Sequence, residues 1–440
     1  MTAAALVADP PEQAPARRAL ARFAPLVGTG ALAGLVACVL LLGANAASAR
    51  SSYVPSGVRS FPAWLAGPLA PLGFTTSHAV LEGLVIAICA FYGLALACVA
   101  SLPARRIWIA ILLATFAAAL APPLLSGDAM GYLGFARLDV LHGLDPYKFT
   151  ANAAPHDAIY PFLTWRRGTA VTTPYGPLFT VASYALVPLG IAGGLWALKA
   201  IAALTTLATV ALIWRIAQAL GRSPKWAVAL YGLNPAVIVF AVGGAHNDTW
   251  FGVLMAAAIL WLVRGQQARA GGSLIAAAAL KVSAVVLMPF ALLGSSQPRR
   301  LLAWLAASFV LALAASLLLF GVSLDGIGSA LVGEQRTVAG HSLPNEVSML
   351  LNFEHLPEAI RVIFIGAFAV AVLAALWRAW RGSPWLDCYA WTTLALLACS
   401  SWILPWYAIW ALLPASFSAS RRLQGATLAA SAYCVAIKIL

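Results

Sequence analysis

Charge is what this chain has least of: only 9% of its 440 residues are Asp, Glu, Lys or Arg. A soluble domain carries about 25%, because solvated groups must cover its surface. That scarcity excludes a water-soluble globular fold. Acidic residues are the rarer sign, 14 against 27 basic, for a net charge of +13. Cysteine is sparse too. Cys38, Cys89, Cys98, Cys388, Cys399 and Cys434 all lie in apolar runs, without a CxxC pair or a Cys/His cluster. This argues against a disulfide framework and a zinc site. P-loop, GxGxxG, HExxH and GxSxG motifs are missing as well. ATP-driven transport, zinc proteolysis and α/β-hydrolase chemistry lose their support. No metal or other cofactor is expected. There is no internal repeat, appended soluble domain or inter-domain linker.

What the chain has is apolar length: 62% of its residues are hydrophobic. In lipid only helices or closed barrels satisfy their own backbone. Barrel strands alternate apolar and polar over about 10 residues, whereas these runs are continuous. The expected fold is an all-α polytopic membrane protein of about 11–13 spanning or re-entrant helices. The candidate spans are 23–47, 78–101, 107–125, 194–217, 225–243, 248–264, 300–322, 358–380, 386–402, 405–418 and 423–440. The apolar run 23–47 reads as an uncleaved first span, after an N-terminal segment, 1–22, expected to be disordered and cytoplasmic. Residues 23–440 form a single membrane domain.

The excess of positive charge needs no nucleic acid. Arginines and lysines sit in the short turns, where they set orientation. Arg17, Arg18 and Arg22 place the N-terminus in the cytoplasm. Arg105/Arg106, Arg222/Lys225, Arg264/Arg269, Arg299/Arg300, Arg378/Arg381 and Arg421/Arg422 mark further cytoplasmic turns. These agree only if two awkward segments, 176–190 and 272–294, do not cross fully. Such broken backbone is tolerated where it lines a cavity. The long loops 126–175 and 323–357 then share the extracytoplasmic face with the turn at 244–248.

Most carboxylates gather on that face, and the positive-inside rule gives no reason for it. Asp128 follows Ser126-Gly127 and precedes a helical pattern closed by Gly143. It reads as an N-cap, as a catalytic base, or as both. Asp145-Pro146-Tyr147 reads as a turn, and Pro174-Tyr175-Gly176-Pro177 as rigid punctuation at the membrane. In Gly243-Gly244-Ala245-His246-Asn247-Asp248, Asn247 or Asp248 can cap the next helix, while His246 has no such duty. Lys281 lies in mid-run, where a lysine costs about 2.5–3.5 kcal/mol. It either marks a partner or pathway, or snorkels to a rim. Arg336 and His341, in the second loop, suit a phosphate.

An inverting glycosyl transfer from a lipid phosphate fits this set. One carboxylate deprotonates the acceptor, and the leaving phosphate needs cationic stabilisation rather than an acid. A transporter or flippase for a lipid-linked sugar is the alternative, which inverted repeats would favour. A purely structural subunit leaves Lys281 and the clustered carboxylates unexplained.

Several segments carry a family resemblance: Asp128-Ala129-Met130-Gly131-Tyr132, His142-Gly143-Leu144-Asp145-Pro146-Tyr147, Pro174-Tyr175-Gly176-Pro177-Leu178, Gly244-Ala245-His246-Asn247-Asp248 and Leu280-Lys281-Val282-Ser283. In this order, across most of the chain, they resemble the GT-C superfamily of polyprenyl-phosphate-sugar-dependent glycosyltransferases. The nearest group is the actinobacterial-type polyprenol-phosphomannose-dependent α-1,6-mannosyltransferases. The resemblance implies a first-loop base, at Asp128, and a metal-independent inverting transfer of mannose. It implies a polyprenyl-phosphate sugar donor, a glycan or glycolipid acceptor, and a site on the outer face of the bacterial cytoplasmic membrane. Asp145, Tyr175, His246 and Asp248 are expected to line the cavity, with Lys281, Arg336 and His341 towards the phosphate.

Overall fold

Apolar runs in lipid must close their own backbone hydrogen bonds, and here they do so as helices. The computed structural model describes residues 15–47, 53–58, 61–74, 77–164, 170–320 and 338–439, among which every regular element is helical. In chain order these are α1 (Pro15–Asn45), α2 (His78–Cys98), α3 (Ala104–Leu120), α4 (Asp128–His142), α5 (Pro177–Tyr184), α6 (Gly190–Ala219), α7 (Pro224–Gly232) and α8 (Asp248–Val263). There follow α9 (Gln267–Leu280), α10 (Leu287–Gly294), α11 (Pro298–Phe320), α12 (Leu343–Leu350), α13 (Glu358–Trp380), α14 (Trp385–Cys399), α15 (Ala408–Ala415) and α16 (Arg421–Ile439). Short single turns of helix lie between them.

Five stretches are long and apolar enough to cross a bilayer: Phe23–Asn45, His78–Ser101, Pro177–Ala219, Pro298–Phe320 and Glu358–Trp380. The chain is therefore an all-α, multi-pass membrane protein. A sixth crossing is broken: α7 continues as a π-helix, Ala236–Val242, after a 45° bend. Pro235 explains the break, since it offers no N–H to the helix. The Asn234 side chain takes over by accepting from the Ala236 N–H at 2.9 Å. From Ala227 to Val242 this broken element is buried, whereas α11 and α13 are mostly exposed and present their sides to lipid.

The segment 272–294 does not cross. After α9 the backbone goes extended at Lys281 (φ −152°, ψ 121°), then runs through a 3₁₀ turn, Val282–Val286, into α10. The outbound leg rises about 21 Å and the return leg about 22 Å. Their far ends meet, because the Ser295 hydroxyl donates to Gln267 Oε1 at 2.9 Å. The piece is a hairpin with Lys281 at its tip, and Arg264 and Arg299 stand at the same level on either side of it. Nor can α5 cross, being 8 residues long. It begins against the hairpin tip, where the Gly176 N–H donates to Leu280 O at 3.1 Å.

Helix α1 begins at Pro15, within the segment 1–22, and proline suits a first helical position. Residues 1–14 lie outside the described residues. The stretch 405–418 is a 3₁₀ turn, Pro405–Tyr407, followed by the eight-residue α15, not a continuous span. All of it up to Ser418 is buried in protein, so no lipid-facing length is required.

Candidate active site

Two turns build the site, one before α4 and one before α8. Each contains a non-glycine residue in the left-handed region: Leu125 (φ 60°) and Ala245 (φ 56°). Such conformations cost about 1–3 kcal/mol each and persist only where the surroundings over-determine them. Here the two turns are joined backbone to backbone, the Leu124 N–H donating to Gly243 O at 2.9 Å. Lys199 of α6 reinforces the join. It is buried (1% exposed), and its ammonium donates to Ala118 O at 2.7 Å and Gly243 O at 2.6 Å.

That clamp sets Asp128 beside His246. The Asp128 Oδ2 atom lies 3.4 Å from His246 Nδ1. Asp128 is the first residue of α4, and Gly127 holds the cap position without any side-chain capping bond. The N-cap reading is therefore corrected: the carboxylate is turned to His246, and its backbone N–H donates to the Ser126 hydroxyl at 3.1 Å. Gly143, at φ 64°, closes the helix as expected. About a third of the Asp128 side chain is exposed, 34% against 0% for His246, so a substrate can reach the acid but not the imidazole. Burial pushes the Asp128 carboxyl up. The hydrogen bonds of His246 and Ser126 and the positive charges of His246 and Lys281 outweigh that and hold it below the usual carboxylate range.

His246 is sandwiched. Its ring stacks on Trp406 at 3.4 Å between centroids and 19° between planes. Tyr132 reaches Nδ1 at 3.5 Å, and its hydroxyl accepts from the Asn247 N–H at 3.4 Å. Burial, with the carboxylates of Asp128 and Asp248 nearby, pushes the Tyr132 phenol well up, so it stays a neutral donor. Gly244 is required where it stands: a Cβ there would lie 2.5 Å from His246 Nε2 and 2.6 Å from Phe240 O.

Behind this pair lies a second one. Asp248 also starts its helix uncapped, with Asn247 in the cap position. Its carboxylate accepts from Lys281 at 3.0 and 2.9 Å and from Trp410 Nε1 at 2.8 Å. Lys281 does not snorkel. It turns inward over the Tyr407 and Trp410 rings, at 4.6 and 5.1 Å. With Asp248 0% and Lys281 12% exposed, this is a buried ion pair at the hairpin tip.

The other sequence-derived residues divide. Tyr175 packs edge-on against Tyr132 at 4.9 Å and supports the cluster from the side. Asp145 stands apart: its carboxylate accepts from the Tyr147 N–H at 2.9 Å and closes a turn. His246 and Asp248 do not line a cavity, since both are fully buried; they hold the exposed Asp128 and the lysine. His341 borders a cavity of about 340 Å³ together with Leu125, Trp402 and Pro405. Its Nδ1 lies 2.9 Å from Glu346 Oε1. Arg336 lies outside the described residues. Among the described residues no three His, Cys, Asp or Glu side chains stand close enough to hold a metal.

Sequence reasoning passed over Lys199, Trp406, Tyr407 and Trp410. Lys199 carries the same signal as Lys281, a cation within an apolar run. Pro405-Trp406-Tyr407 and Trp410 fall in 405–418, which reads from the sequence only as a candidate span.

Comparison with known proteins identifies the family. A family model described as Alpha-(1->6)-mannopyranosyltransferase, N-terminal domain, matches residues 29–296. A second, described as MptB C-terminal domain, matches 336–440. The first segment carries Asp128, His246, Asp248 and Lys281, and the second brings Trp406 and Trp410. The Alpha-(1->6)-mannopyranosyltransferase A of Mycobacterium tuberculosis is 30% identical over 348 residues, which is 72% of this chain and 64% of that protein. The protein of the same name from Corynebacterium glutamicum is 31% identical over 175 residues, 39% of this chain and 35% of its own length. The chain thus spans less than two thirds of the length of the curated relatives it matches.

Proposed function

This chain belongs to the GT-C-type alpha-(1->6)-mannopyranosyltransferase family, and from that premise we propose that it transfers mannose from a polyprenyl-phosphate donor to a glycan or glycolipid acceptor. The transfer takes place on the extracytoplasmic face of the bacterial cytoplasmic membrane. One observation carries the reading: Asp128 is an exposed, uncapped carboxylate held at 3.4 Å by a buried histidine.

In this reading Asp128 takes the proton of the acceptor hydroxyl. The freed oxygen attacks the anomeric carbon, and the bond to the phosphate oxygen breaks with inversion. An α-linked product therefore needs a β-linked donor sugar. The leaving polyprenyl phosphate is a stable anion, so no acid has to protonate it. Its arrival near the carboxylate raises the proton affinity of Asp128, since a like charge disfavours the ionised form. His246 orients the base, and Trp406 and Tyr132 hold His246. Lys281 supplies positive potential from the hairpin tip. Arg336 and His341 are assigned to the phosphate from the second loop. No metal is invoked, because these cations supply the charge.

The test uses purified protein, radiolabelled polyprenyl-phosphate mannose and a short mannoside acceptor. Asp128→Asn should lower turnover by about 10²–10⁴-fold while the protein elutes from size exclusion as the wild type does. Full activity in that variant overturns the base. Activity with glucose or arabinose donors but not mannose overturns the sugar. Lipid-linked sugar moved across vesicles without glycosidic product would favour a flippase instead.

A further inference from the structure

At the end of the molecule opposite Asp128, where the basic turns gather, a cavity of about 1160 Å³ opens between helices. Its walls are α2, from Cys89 to Ala100, and α16, from Arg421 to Val435. Along α16 that reach is about 21 Å, deeper than one leaflet's hydrocarbon, which is half of roughly 30 Å. The walls are apolar and fine-grained. Gly93 and Gly425 both line the cavity, and a Cβ at either would meet nothing within 4 Å. At its floor the polar groups already satisfy one another: the Ser431 hydroxyl donates to Asn234 Oδ1 at 2.9 Å, and Asn234 Nδ2 donates to Tyr92 at 3.2 Å.

The mouth is different. Arg222, Lys225 and Arg421 line it, and no acidic residue does. Lys225 donates to Ala100 O and Leu102 O at 2.9 and 3.1 Å. It ties the mouth together. The Arg222 and Arg421 side chains are exposed, and neither forms an ion pair among the described residues.

We propose that this cleft is a binding site for an anionic phospholipid of the leaflet on the basic face. The headgroup phosphate sits between Arg222 and Arg421, and one acyl chain runs up the cleft between α2 and α16. Charge complementarity selects an anion, because planar guanidinium groups match phosphate oxygens. The depth selects a tailed one: a gap of this size in an apolar wall forfeits dispersion contacts unless a chain fills it. Free phosphate would leave the cleft empty. The proposal is independent of the reaction at the other end.

The test is lipid retention. Wild-type protein is reconstituted with vesicles of phosphatidylcholine containing a minority of phosphatidylglycerol, extracted in mild detergent, and weighed by native mass spectrometry. Phosphatidylglycerol should be retained over phosphatidylcholine. Arg222→Gln with Arg421→Gln should weaken retention about 30-fold, from about fivefold per basic residue facing an anionic headgroup. Gly425→Leu should abolish retention with both arginines present. The new Cβ meets no protein atom within 4 Å and leucine favours the helix, so the variant reports on the cleft rather than the fold. Equal retention of both lipids, unchanged retention in either variant, or displacement by inorganic phosphate at equal concentration overturns the assignment. Preferential retention of polyprenyl phosphate over phosphatidylglycerol overturns it too.

Discussion

Replacing Lys281 with methionine strands a carboxylate. Asp248 is fully buried and receives two hydrogen bonds from the Lys281 ammonium, with a third from the Trp410 indole N–H. After Lys281→Met only the neutral indole donor remains. Breaking a buried pair from one side costs about 3–5 kcal/mol. Asp248→Asn added to Lys281→Met removes the charge and keeps an acceptor for Trp410, so the double variant should regain about 2 kcal/mol or more over the single one. Unfolding by SDS titration in mixed micelles, followed by tryptophan fluorescence, reads all three proteins. Transfer assays on the same samples separate fold from function. The double variant should be folded yet poor with the lipid-phosphate donor, because the lysine is gone. Additive losses, or a single variant as stable as wild type, would refute the ion-pair reasoning.

Three other outcomes are expected. Asp128 acts as the ionised base and its acidity is raised, so the acidic limb of kcat/KM should lie below about pH 4, with activity lost only as pH falls through that lowered value. His246→Asn should move the limb upward, because burial is then opposed only by Ser126 and Lys281; a limb that stays put contradicts the pairing. Gly244→Ala forces a methyl against His246 Nε2 and the Phe240 carbonyl. It should cost about 1–3 kcal/mol of stability and more than tenfold in turnover, and unchanged kinetics would show that the imidazole's position is unimportant. Lys199→Met strands the Ala118 carbonyl, at about 1–3 kcal/mol, and leaves the Gly243 carbonyl only its bond from the Leu124 N–H. Its SDS midpoint should fall, and a midpoint equal to wild type would mean that the clamp is dispensable.

Scarce charge and long apolar runs were enough to determine that this chain crosses a bilayer repeatedly as helices, because hydrocarbon leaves the backbone no other choice. The basic turns also led to the expectation that 272–294 does not cross fully, since Arg264 and Arg299 share a face only if the segment returns, and the contact between Ser295 and Gln267 brings its two ends together. Asp128, His246, Asp248 and Lys281 were legible as polar residues in places where polarity is costly. Their roles were not. Capping depends on local backbone angles, and only the fold decided that Gly127 and Asn247 hold the cap positions, leaving both acids to pair with a histidine and a lysine from distant segments of the chain. Trp406 and Trp410 are about 160 residues from the partners they stack on and bond to, and no periodicity in an apolar run marks such a pairing. Apolar pattern is a property of neighbours along the chain and survives in the sequence. Which of two charges ends buried beside the other is a property of packing, and only the tertiary structure decides it.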